Sequence, residues 1–150
     1  MKGGLKGCCG AVLLLCALGC AGETIPDSRG TLLSGQEMRL PRDLPARQTV
    51  LVVGFTRKSG KSCEEWRRVL AEMGVARLQV PMLESVPKLI RGMVLSGMKK
   101  GTPAEAQGAL LPLFEKEAEW KRVTGFSAAD DAYVLLVDEH GEIVDRKSVV

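Results

Sequence analysis

The stretch Thr49-Val50-Leu51-Val52-Val53-Gly54-Phe55, continuing through Thr56-Arg57-Lys58-Ser59-Gly60-Lys61 into Ser62-Cys63-Glu64-Glu65-Trp66, decides how this chain is read. Its first part is an unbroken β-rich run without polar alternation. Such a run is buried on both faces, which puts it in the middle of a sheet covered by helices. The second part opens a helix. Ser62 stands where an N-cap is expected, Glu64 and Glu65 suit the positive end of the helix dipole, and Gly74 is the stop. Cys63, Trp66, Val69, Leu70 and Met73 recur at spacings of three and four and form one apolar stripe.

Working outward, Thr31-Leu32-Leu33 and Glu37-Met38-Arg39-Leu40 flank Ser34-Gly35 and read as a hairpin, followed by a turn over 41–45. Residues 75–83 predict a second strand, with Pro81 placing its end near an edge. Residues 86–98 predict a softer helix carrying Leu89, Ile90, Met93 and Val94, weakened at Gly92 and Gly97 by about 1 kcal/mol each relative to Ala. Thr102-Pro103-Ala104-Glu105 has the form of a capping box with proline at the first helical position. A third helix is therefore expected from there to about Trp120, bent or broken at Pro112. Tyr133-Val134-Leu135-Leu136-Val137 is another buried strand. Residues 138–141 make a turn, and Glu142-Ile143-Val144 pairs back. The fold class is α/β: a central mixed sheet flanked by helices, with an N-terminal and a C-terminal β-hairpin.

The N-terminus reads as an address. Lys2 and Lys6 precede Gly10-Ala-Val-Leu-Leu-Leu-Cys-Ala-Leu-Gly19, which is long enough for a signal-peptide core and too short to span a bilayer. It has no polar face, which argues against a helix of the folded domain. Ala17-Leu18-Gly19-Cys20 resembles a bacterial lipobox, with Ala17 where that family prefers Leu and Leu18 where it prefers a small residue. The resemblance implies a lipid on Cys20 and a protein exported to the cell envelope, facing the periplasm and anchored to the membrane. Ordinary signal-peptidase cleavage nearby is the alternative. The expected division is 1–19 signal peptide, 20–30 linker and 31–150 one domain, a length that supports a core without disulfides.

The formal charge of +3 owes two units to Lys2 and Lys6, so the domain is close to neutral and offers no basic face for nucleic acid. Four of the five cysteines lie in the first twenty residues, and Cys63 stands alone in the domain. The single histidine, His140, falls in a turn. A disulfide framework and a zinc site both drop out, and no metal or other cofactor is expected.

A buried strand ending in Phe, a loop, a helix led by Cys and a late hairpin with Asp-Glu-His-Gly-Glu at its turn together resemble the thioredoxin-like superfamily over roughly residues 31–145. In that family two active-site cysteines follow the strand phenylalanine by five and eight residues. Counted from Phe55 these positions hold Gly60 and Cys63, so the nucleophilic cysteine is absent. The family also places a cis-proline before the late hairpin, where this chain has Ala129-Asp130-Asp131-Ala132-Tyr133. Within the superfamily the chain is similar to the assembly factors of the mitochondrial ATP synthase, which lack the cysteine pair. The similar pieces are Leu40-Pro41-Arg42-Asp43-Leu44, Ser62-Cys63-Glu64-Glu65-Trp66 and Tyr133-Val134-Leu135-Leu136-Val137-Asp138. The resemblance implies a non-catalytic, membrane-tethered module that grips a protein partner or an extended peptide segment, with Gly60, Lys61, Ser62 and Trp66 as the binding residues.

Three constellations compete with that expectation. Cys63 is the candidate catalytic residue of a thiol oxidoreductase or peroxiredoxin-like enzyme, because a helix N-terminus and nearby Arg57, Lys58 and Lys61 lower a thiol pKa. Its other reading is a small apolar residue heading the Trp66 and Leu70 stripe. Peroxiredoxins have Thr three residues before the reactive cysteine and Pro four before that Thr, where this chain has Gly60 and Thr56. The stretch from Gly54 to Gly60-Lys61-Ser62 imitates a nucleotide-binding P-loop one residue too long, with Asp138 as the magnesium aspartate. Finally, Leu89, Ile90, Met93, Val94 and Met98, ending in Lys99 and Lys100, make a stripe that packs on the sheet or offers a partner or membrane surface. Glu115, Glu117 and Glu119 with Lys116, Lys121 and Arg122 read as a solvated helix face.

Overall fold

A computed structural model describes residues 22–149. The strands are β1 (Ser28–Thr31), β2 (Glu37–Leu40), β3 (Gln48–Gly54), β4 (Arg77–Pro81), β5 (Ala132–Asp138) and β6 (Ile143–Val149). The helices are α1 (Gly60–Glu72), α2 (Arg91–Gly101) and α3 (Glu117–Thr124), with short 3-10 turns at Lys88–Ile90 and Ala104–Ala109. Strands β1 and β2 form a separate hairpin. The main sheet has the order β4-β3-β5-β6, with β3 parallel to β4 and antiparallel to β5, and β6 antiparallel to β5.

The apolar run of β3 sits between two partners, as its composition requires, and every residue from Thr49 to Gly54 is buried. The pleat sends alternate side chains to opposite faces and so divides the core in two. Leu51 and Val53, with Leu78, Val80, Tyr133, Leu135 and Val137, meet Trp120 and Val123 of α3 and Leu40 of the hairpin. Val50 and Val52 on the other face meet Cys63 and Leu70 of α1, with Trp66, Val134 and Leu136 packed at the margin.

The N-terminal part of the described chain belongs to this body. Ile25 is buried, its N–H donates to the Gly141 carbonyl at 2.9 Å, and Thr24 bridges to Glu142. Within residues 24–30 Ile25, Pro26 and Ser28 are buried, Ile25 completing the core and Ser28 opening β1, while Thr24, Asp27 and Arg29 are exposed. Gly141 permits the closure: its φ is +80°, and a Cβ there would lie 2.5 Å from Pro41 Cβ.

Five elements depart from the sequence reading: the first hairpin strand, expected at Thr31-Leu32-Leu33, is Ser28–Thr31, and the second helix, expected over 86–98, is Arg91–Gly101 after the Lys88–Ile90 turn. Helix α1 begins at Gly60 and follows Ser59, so Ser62 lies inside its first turn and is not the cap. The helix expected from Thr102 to about Trp120 is broken up. Its capping-box start makes only the 3-10 turn, and residues 110–113 run extended beside β4. There Leu111 N–H donates to Gln79 O at 2.8 Å and Leu113 N–H to Pro81 O at 3.0 Å, which covers the edge strand. Strand β6 is also longer than the Glu142-Ile143-Val144 expected, pairing as far as Ala132 with Val149.

Candidate functional site

The site lies where β3 ends and α1 begins. Gly54 lets the helix come down onto the strand, since a Cβ there would stand 2.7 Å from Ser59 Oγ and 2.9 Å from Cys63 Sγ. The loop between them is closed by two side chains. Ser59 Oγ donates to Thr56 O at 2.7 Å and accepts from Thr56 N–H at 3.3 Å, while Ser59 N–H donates to Thr56 Oγ1 at 3.2 Å. The Thr56 hydroxyl in turn donates to Asp130 Oδ1 at 2.9 Å, and Lys58 Nζ lies 3.7 Å from Asp130 Oδ2.

Asp130 is itself held in place. Its loop wraps the phenol of Tyr133, which accepts from the N–H groups of Ser127 and Ala128 at 2.9 Å each. Burial pushes the Tyr133 phenol up, but the Ser127 hydroxyl and these two N–H groups together outweigh it and leave it below its ordinary value. The Tyr133 ring packs edge-on to Phe55, centroids 5.7 Å apart, and Phe126 packs edge-on to Phe55 at 5.1 Å, which joins the end of β3 to β5 and to the segment before it.

Cys63 lies beneath this closure and is 2% exposed. Burial pushes its thiol up to about 11, against a smaller downward pull from the Ser59 hydroxyl. Burial sets the direction of this shift, so the thiol keeps its proton at neutral pH.

No family model matches the chain, and no curated protein matches it in sequence. Solved structures match it in shape. The exposed lipoprotein thioredoxin of Streptococcus pneumoniae aligns over 81% of this chain and 88% of its own, with TM-score 0.53 and 16% identity. BsSco, a member of the Sco family of cytochrome c oxidase assembly proteins, aligns over 85% and 84% with TM-score 0.57 and 9% identity. The thio-disulfide isomerase of Thermus thermophilus aligns over 86% of each chain with TM-score 0.52 and 20% identity. The chain has the thioredoxin-like fold.

On this thioredoxin-like frame the expected site residues separate. Gly60 opens α1, Ser62 is half-buried in its first turn, and Trp66 packs on the Cys63 cluster. Lys61 is exposed and lines a groove of about 490 Å³ with Glu64, Arg68, Arg77 and Glu105. Five residues along a helix is about 140° of rotation, so Lys61 and Trp66 do not share a face. Cys20 and the segment expected as signal peptide lie outside the described residues.

The nucleotide reading fails on geometry. The N–H groups of Thr56, Ser59 and Gly60 are already spent on protein oxygens, so the loop offers no open nest of donors there. Asp138 pairs with Gln48 at the far end of β3 from Gly54, a strand length of about 20 Å. It accepts instead from His140 N–H and Glu142 N–H at 2.9 Å each, shaping the β5–β6 turn. Among the described residues no three His, Cys, Asp or Glu side chains are grouped to hold a metal, and no helix is long and apolar enough to cross a membrane.

Sequence reasoning missed Thr56, Ser59 and Asp130. The signal for the first two was present: Thr and Ser three apart before a helix are a common source of reciprocal side-chain to backbone bonds. Asp130 carried none, because its partner is 74 positions away.

Proposed function

We propose that this chain is an exported, membrane-tethered thioredoxin-fold protein that works as a non-catalytic binding or assembly module, holding a partner protein or an extended peptide. The observation that carries the reading is the state of the one thiol in the domain. Cys63 is buried, its pKa is displaced upward, and Gly60 stands where a nucleophilic cysteine would be. Dithiol exchange needs an accessible thiolate to attack and a second thiol to resolve the mixed disulfide. The loop that would present the attacking group is instead tied shut through Thr56, Ser59 and Asp130.

Two kinds of neighbour support the rest. One is a Sco-family assembly protein and one an exposed lipoprotein thioredoxin, so this fold serves both assembly and surface attachment in other proteins. The likeness to assembly factors of the mitochondrial ATP synthase rests on the sequence pieces quoted above, and the tether rests on Cys20 and the apolar segment before it.

Precipitation of insulin on reduction by dithiothreitol tests the central claim, because enzyme and holder act on it in opposite directions. A thiol oxidoreductase speeds precipitation of the B chain; a binding module delays it. The full chain and its Cys63→Ala variant are expected to delay precipitation equally. Acceleration by the unaltered chain that vanishes in Cys63→Ala would sink the proposal. Incorporation of labelled palmitate in a bacterial host, lost in Cys20→Ser, checks the tether separately.

A further inference from the structure

The segment formed by the Lys88–Ile90 turn and α2 has a composition unlike its surroundings. Between Glu84 and Glu105 the chain carries Lys88, Arg91, Lys99 and Lys100 and no carboxylate. Helix α2 buries none of its residues. Leu89 is fully exposed, Met93 is 69% exposed and Ile90 40%, so half of the large apolar side chains left in solvent among the described residues lie within five positions. Spacings of three and four put Leu89, Ile90 and Met93 on one side.

The segment is nevertheless fastened. Arg91 Nε donates to Val86 O at 2.9 Å and its Nη2 to Glu84 O at 3.2 Å, while the guanidinium lies 4.7 Å from the Phe114 ring centroid. Thr102 Oγ1 closes the other end on Met98 O at 2.7 Å. Arg91 is therefore a staple, and the free cations are Lys88, Lys99 and Lys100. Among the described residues none of the three pairs with a carboxylate, although acidic groups are plentiful elsewhere on the domain.

We propose that residues 86–101 form a membrane-facing surface that docks in the interface of a bilayer containing anionic phospholipid. Unpaired lysines beside exposed Leu, Ile and Met are what such an interface selects: apolar side chains enter the acyl boundary and ammonium groups meet the phosphates. A sheet-packing helix would have the opposite exposure, and that face of the sheet is covered by residues 110–113 and α3. Docking here goes beyond the proposed tether and needs no lipid on Cys20. It would hold the domain in one orientation on the membrane surface.

Amide hydrogen exchange on the full chain tests this, because it locates protection along the sequence and separates α2 from anything the N-terminus does. Vesicles of phosphatidylcholine alone are compared with vesicles that also contain phosphatidylglycerol. The expected result is slower exchange over residues 88–101 on the anionic vesicles only. Protection should fall about fivefold for each of Lys99→Gln and Lys100→Gln, the effect of one surface cation. It should be lost in Leu89→Ser/Met93→Ser, whose exposed positions leave the fold intact. Equal exchange on both vesicles and in free protein overturns the proposal. So does slowing that appears without lipid as protein concentration rises, since a second copy would then cover the face. Neither result bears on Cys20 or on Cys63, so this test can fail while the proposed function stands.

Discussion

The Thr56 hydroxyl donates to Asp130 Oδ1 at 2.9 Å and joins the loop before α1 to the loop before β5 across 74 positions of sequence. In this fold those two loops flank the place where a redox pair would work. Here they are bonded to each other, which closes the loop before α1 onto the loop before β5.

A double-mutant cycle measures that closure. Asp130→Ala is expected to cost about 1 kcal/mol in urea unfolding and Thr56→Val more, because that hydroxyl also accepts from Ser59 N–H, with a coupling of about 1 kcal/mol for the bond the two share. Exchange of the amides around Ser59 and Gly60 should quicken in both single variants and no further in the double. Strict additivity would mean that the hydroxyl and the carboxylate act independently.

Cys63 makes a prediction with a defined pH window. Its folded pKa of about 11 lies above the ordinary 9.0, so the folded state keeps its proton where the unfolded state gives it up. The stability associated with the neutral thiol is fully present below pH 9 and is lost as pH rises toward 11. The difference in unfolding free energy between the unaltered chain and Cys63→Ala should be flat below pH 9 and then fall by about 3 kcal/mol as pH rises to 11. A difference that begins to change near pH 7 would mean an ionised, accessible thiol and would return the redox reading.

The parts legible in the sequence are those decided by local pattern. The runs in β3 and β5 are apolar at consecutive positions, which only a strand covered on both faces tolerates, and both were placed within a residue or two. The sequence places the start of α1 at Ser62, whereas the structure opens the helix at Gly60, just after Ser59. The choice between the two serines falls to the loop closure that Asp130 completes. The long third helix fails for a similar reason. Thr102-Pro103-Ala104-Glu105 satisfies the local rule, but Gln79 and Pro81 carbonyls on the edge of β4 take Leu111 and Leu113 out of any helix. The accessibility of Cys63 was equally hidden, since a helix N-terminus that activates a thiol and one that buries it have the same sequence.

Trp120 and Ser28 test whether the N-terminal hairpin is integral to the domain. The indole N–H donates to Ser28 Oγ at 3.0 Å, and the Ser28 hydroxyl donates to Pro26 O at 3.1 Å, with Ser28 and Trp120 both buried. Ser28→Ala leaves the indole donor without a partner and is expected to cost about 1–3 kcal/mol. The urea midpoint should fall at unchanged slope. Combined with Trp120→Phe, which removes the donor, the serine change should cost markedly less than it does alone. A Ser28→Ala variant as stable as the unaltered chain would show that the hairpin docks through apolar contacts only.

Acid unfolding isolates the charged corner where the hairpin meets the β5–β6 turn. Asp27 accepts from Arg39 Nη2 at 2.9 Å and from its Nε at 3.2 Å, and this bonding holds its carboxyl below the ordinary 3.8 despite an opposing desolvation. Asp43 is lowered by its bond from Arg42 and by the backbone N–H of Arg39. A carboxyl with a depressed folded pKa stabilises above its unfolded value and loses that contribution as pH falls below it. The unaltered chain should therefore lose stability more steeply below pH 3.8 than Asp27→Asn/Asp43→Asn, with the two converging once both carboxyls are protonated in the folded and the unfolded state. Both groups are exposed, so raising the salt concentration at neutral pH should narrow the gap between the two proteins. If the acid limb is equally steep in the double variant, the proton uptake belongs to other carboxylates and the Asp27–Arg39 pair is an ornament of the surface.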